Sequence, residues 1–143
     1  MYLRDNLFKY HAACYGTHET IEGVLRLKHA NSLASEDLAG IDLVVPQGHL
    51  AMCNIQQPTT GLEGKFSLRF TAALAFVDEE TNDAAFTDAR VHEPRLTALR
   101  DRVSGRPWPR VGADPSASPL LFADVADNPG GGARGNTTWI VEA

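Results

Sequence analysis

With 143 residues the chain has the length of one domain, enough to close a core. Its 43% apolar and 22% charged composition is that of a folded globular protein and excludes a disordered one. Thirteen basic against eighteen acidic residues leave a formal charge of −5, which argues against nucleic acid or an anionic membrane as the main partner while leaving room for a local basic pocket.

Along the chain, MYLRDNLFKYH has charges on both sides of a very short apolar patch and is read as no secretory signal. No apolar run approaches the roughly 20 residues of a membrane span. Residues 17 to 31 predict a first helix, with Thr17 as N-cap, Glu19 in the first turn, and Ile21, Val24, Leu25 and Lys28 on one face. Lys28 is expected at the edge of that face, its stem packed and its amine in water. GIDLVVP, 40 to 46, is short, β-branched and closed by Pro46, as a strand is. NIQQPTTGLEG then breaks structure at Pro58, Gly61 and Gly64.

KFSLRFTAALAFVD, 65 to 78, carries the strongest helical pattern. Phe66, Phe70, Ala73, Leu74 and Val77 make an apolar stripe, with Arg69 and Thr71 off that face. Pro94 suits the first position of a third helix carrying Leu96, Leu99 and Val103 inward. SGRPWPR reads as a linker or turn, PLLFADVAD (119 to 127) as a buried strand, and NPGGGARGN as a glycine loop. Strands and helices alternate irregularly, so the predicted class is α+β, a small sheet with helices packed on one face.

The chemistry-bearing residues cluster before the first helix, in KYHAACYGTHET. Lys9 is either a carboxylate anchor, a compact charge with three donors, or a solvated surface lysine. His18, in the first helical turn, is either a neutral imidazole held so by the helix dipole or a capping surface residue, and the surface reading applies to His11 as well. Cys14 has no base in a nucleophile motif beside it and reads as a small buried hydrophobe. Cys14 and Cys53 are the only cysteines, expected as reduced thiols of a cytoplasmic protein. They are too few for an iron–sulfur cluster, and without HExxH or paired CxxC spacing no zinc site is expected; the expectation is of no metal and no cofactor.

FKYHAACYGTHETIEGVL, HLAMCNIQQPTTGLEGKFSLRFTAALAFVD and FTDARVHEPRLTALRDRV together resemble, in order, the C-terminal domain of the MmgE/PrpD family, over about residues 1–103. That family includes 2-methylcitrate dehydratase, cis-aconitate decarboxylase and iminodisuccinate epimerase. The resemblance implies a smaller α+β lid that follows a large helical domain, with a metal-free active site in the cleft between them. The reactions it implies are proton abstractions beside a carboxylate, followed by loss of water or carbon dioxide or by reprotonation. It implies further that Lys9 binds substrate carboxylate and that His18 shapes the lid side of the site. Substrates with two or three carboxylates call for such cationic and polar donors.

Two departures bear on activity. Where many members carry a tyrosine after Lys-Phe-Ser-Leu, this chain has Arg69 and Phe70, and Phe70 offers no hydroxyl. The helical domain, which would supply the other acid and base groups within hydrogen-bond reach, is also absent from these residues. The expectation is therefore an isolated lid, inactive alone, with no catalytic residue of its own.

ADVADNPGGGARGNTT, within 119–143, is similar instead to a C-terminal signature of the microcystin-degradation family MlrC, with 104–118 as a linker between the two units. Gly130, Gly131 and Gly132 are either a nest of backbone amides for an anion or a structural turn. Two partial resemblances suggest a gene fragment or fusion product. The expected partners are a second copy of the chain or a separately encoded helical domain, with a di- or tricarboxylate as ligand. Two other readings stay open: a small lyase or isomerase assembled across a homodimer from His11, His18 and Glu63, and an interaction module without chemistry.

Overall fold

The computed structural model describes residues 9–35 and 38–107. Helix α1 (Tyr15–Asn31) leads to strand β1 (Ile41–Val45), then to short helices α2 (Gln47–Met52) and α3 (Gly61–Gly64). Helix α4 (Leu68–Asp78) follows, then a 3-10 turn at Asp83–Ala85, helices α5 (Asp88–Val91) and α6 (Pro94–Arg100), and strand β2 (Val103–Pro107). Helices flank a two-stranded sheet, so the α+β class expected from sequence is what the structure has. Among the described residues no helix is long and apolar enough to cross a membrane.

Helix α4 is the centre of the domain. Leu68 and every residue from Phe70 to Phe76 are buried, so it is apolar almost all round rather than along one stripe. That is why Thr71, expected off the packed face, is 0% exposed. Its hydroxyl meets the cost of burial by donating to the Ser67 carbonyl at 2.9 Å. The helix starts later than the predicted 65, because Ser67 caps it: the Ser67 side chain accepts from the Phe70 amide at 3.1 Å. Phe66 consequently lies before the helix and is 38% exposed, off the expected stripe.

Helix α1 packs on one side of α4 and α6 on another. Ile21 and Val24 of α1 are buried as the pattern requires. Its start is corrected, however: the helix begins at Tyr15, and the N-cap position belongs to Cys14. Thr17 lies inside the first turn, its hydroxyl donating back to the Cys14 carbonyl at 2.8 Å, and Glu19 falls beyond that turn. Lys28 is also corrected. Its ammonium is not left to water but donates to the Phe76 carbonyl at 2.7 Å, in the last turn of α4, and pairs with Glu79 at 2.6 Å. A cation there complements the negative end of the helix.

β1 and β2 pair in parallel, in register from Ile41 opposite Val103 to Val45 opposite Pro107. A parallel pair needs a crossover, and the helices of the intervening chain supply it. Val103, expected to close the third helix, instead opens β2, and Ser104–Pro107, expected as linker or turn, continues it. Arg69 ties α4 to this strand, its Nε donating to the Val103 carbonyl at 2.7 Å. Between α3 and the start of α5, Gly61 permits a close approach: a Cβ there would stand 2.2 Å from the Phe86 carbonyl oxygen.

Candidate functional site

The segment His11–Cys14 runs into the N-terminus of α1 and is held in place by backbone bonds from elsewhere. The Ala12 amide donates to the Thr81 carbonyl at 2.9 Å and the Cys14 amide to the Lys65 carbonyl at 3.0 Å. Beside these contacts lies a cleft of about 630 Å³ at the mouth of α1, lined on one side by Lys9, Cys14 and Tyr15 and on the other by His49, Met52, Lys65, Phe66 and Asp83.

Lys9 lines this cleft. Its ammonium donates to the Ala13 carbonyl at 3.0 Å and stands 4.9 Å from the centre of the Tyr15 ring. Among the described residues it forms no ion pair, and one carbonyl uses only one of its three donors. Lys65, across the cleft, is committed to Asp83 at 2.5 Å, and that bond holds the Asp83 carboxyl below its usual range.

His18 sits behind Tyr15, not in the cleft lining; its ring is 4.9 Å from the Tyr15 ring and 5.0 Å from His11. Burial above all, then the neighbouring His11 and more weakly Lys9, drives its pKa down to about 4, against partial compensation from the backbone of Ala13 and His11. The direction agrees with the neutral imidazole expected from sequence, and burial is its leading cause. His18 Nε2 is buried without a hydrogen-bond partner among the described residues. An imidazole so poor in proton affinity is a weak base near neutrality, suited to hydrogen bonding and shaping rather than to taking a proton.

His11, by contrast, is occupied at both nitrogens, by Thr81 Oγ1 at 2.6 Å and Glu22 Oε1 at 2.9 Å. With Nε2–H donating to the Glu22 carboxylate, Nδ1 accepts from the Thr81 hydroxyl, so the ring ties the segment before α1 to both α1 and the 81 loop. Glu63 spends its carboxylate on the Thr59 amide and hydroxyl, at 2.7 and 2.8 Å. That draws its pKa down and is a loop-closing role.

Sequence reasoning alone passes over His49. This side chain lines the cleft from α2, is buried, and has its pKa lowered by that burial. Its Nδ1 is 3.8 Å from Glu19 Oε2, too long for a hydrogen bond. The only sequence signal is its place in HLAMC, and the cleft that gives it meaning is tertiary. Phe70 is fully buried, its ring edge-on to Phe86 at 6.2 Å and pressed against Gly64, so the position discussed above for a tyrosine hydroxyl is here a core position. The glycine loop at Gly130, Gly131 and Gly132 and the strand expected at 119–127 lie outside the described residues. Among the described residues no group of three or more His, Cys, Asp or Glu is placed to hold a metal.

A small α+β domain with a lysine-bearing cleft at the mouth of its first helix is what the fold and geometry define. The family model described as the MmgE/PrpD C-terminal domain matches residues 11–124, and the chain belongs to that family. The match begins two residues after Lys9 and runs well past residue 103, the boundary expected from sequence. No curated protein matches the chain.

Proposed function

We propose that this domain forms the lid wall of an MmgE/PrpD-type lyase or isomerase site, where it holds one carboxylate of a di- or tricarboxylate. The carrying observation is Lys9, which lines a cleft of about 630 Å³ and whose ammonium has a single carbonyl as its acceptor. A carboxylate entering there takes the remaining donors as charge-assisted hydrogen bonds. Tyr15 and the neutral His18 behind it fix the shape of that wall. His18, with a pKa of about 4, is a weak base near neutrality, and burial lowers the pKa of His49 as well. The proton-transferring groups therefore come from the helical half, in another chain or domain, and the lid by itself is inactive. The cytoplasm, with its reduced thiols, is the compartment that suits it.

A second reading, an interaction module without chemistry, draws on exposed apolar side chains, Tyr10 at 93% and Met52 at 58%. Amide shift mapping by NMR with citrate as the probe separates the two. The carboxylate reading predicts shifts confined to residues 9–16, His49 and Lys65. No shift, or shifts scattered over the surface, leaves the interaction module.

A further inference from the structure

The two cysteines flank the junction of α1 and α2, although they are 39 residues apart in the chain (53 − 14). Cys14 holds the N-cap position of α1 and Cys53 the C-cap position of α2. Cys14 Sγ lies 3.6 Å from Met52 Sδ, one residue before Cys53. Cys53 Sγ is pressed against the first turn of α1, 3.0 Å from where a Cβ on Gly16 would be. A side chain at position 16 would displace that sulfur, so the small residue is what lets the buried thiol reach the turn that Cys14 begins. The two thiols also differ in access: Cys14 lines the cleft and is partly exposed, whereas Cys53 is 0% exposed.

We infer that Cys14 and Cys53 form a peroxide-responsive dithiol, Cys14 being oxidised first and Cys53 resolving it to an intramolecular disulfide across the α1–α2 junction. In the first step the Cys14 sulfur attacks one oxygen of a hydroperoxide. The O–O bond breaks, Cys14 becomes a sulfenic acid, and the leaving oxygen takes the thiol proton to depart as water or an alcohol. In the second, the Cys53 sulfur displaces the sulfenic oxygen and the Cys53 proton leaves with it as water. Two thiols are oxidised and one peroxide is reduced. The order follows from access. Burial, and then the Cys14 thiol beside it, push the Cys53 thiol up to about 12, so it does not react first, and its proton is passed to the departing hydroxyl. In a reducing compartment such a pair stays as thiols until peroxide rises.

The test uses the full chain, a pulse of hydrogen peroxide, alkylation of remaining thiols after denaturation, and mass spectrometry. The expected product is a monomeric chain lighter by two hydrogen atoms, unalkylated, with peptides containing residues 14 and 53 joined, and fully restored by dithiothreitol. Cys53→Ser should instead stop at the sulfenic acid, trapped by dimedone at position 14. The joined peptides are read on the wild type, so the result does not depend on the variant folding. Stepwise oxidation of Cys14 to sulfinic or sulfonic acid with Cys53 still alkylated overturns the inference, as does a disulfide between two chains. No carboxylate ligand enters the experiment, so its outcome is independent of the proposed function.

Discussion

His18 illustrates how a single side chain couples the site to stability. Its pKa in the fold is about 4, against an ordinary 6.5 in the unfolded chain, so between those values the unfolded chain binds more protons. The stabilising contribution is complete above pH 6.5 and is lost as the pH falls toward 4. His49, also lowered by burial, works in the same direction. Urea unfolding should therefore show lower stability at about pH 5 than at about pH 7, and His18→Asn should remove part of the difference. Allowing for the partial solvent screening of this half-buried ring, that part is about 1–2 kcal/mol. An identical pH dependence in wild type and variant contradicts the assignment.

The residues around Lys9 are partly legible in the sequence itself. Lysine, histidine and cysteine in one short run mark chemistry, but only the family resemblance turns that run into a wall of a cleft. His49 is not legible, because nothing in its own segment places it opposite Cys14.

Among the elements, α4 dominates, and its apolar density makes it readable from sequence even though its start is not. The start depends on Ser67 turning its hydroxyl to the Phe70 amide, a local choice that apolar periodicity does not encode. β2 is hidden for a different reason. Ser104–Pro107 is exposed and contains glycine and proline, the composition of a linker, and becomes a strand through pairing with β1, far earlier in the chain. Helix α2 is short and has no side-chain cap, so it leaves no signature either.

Two substitutions test the packing of these elements. Leu74→Ala, at a position with 0% exposure, should cost about 3 kcal/mol in chemical denaturation. Gly61→Ala drives a methyl into the Phe86 carbonyl and should cost at least as much as a typical core truncation, about 2 kcal/mol or more, by the same measurement. A neutral Gly61→Ala would show that α3 and α5 are not held as closely as described.

At the scale of the whole molecule, large apolar side chains stand exposed: Met52 and Phe66 at the cleft, and Tyr10 and Leu62 besides. Such a surface is expected to meet another, a helical half or a second copy. Light scattering at micromolar concentration should show self-association, and Tyr10→Asp or Met52→Asp should shift it toward monomer. A clean monomer in the unmodified chain contradicts this expectation.

The proposed function rests on a carboxylate held by the ammonium of Lys9. Isothermal calorimetry of citrate against wild type and Lys9→Ala at low ionic strength, where such a contact is least screened, is the most direct measurement. Binding to wild type should weaken on the order of tenfold in the variant, the loss of one charge-assisted contact. Equal binding by both proteins, or none by wild type, would contradict it.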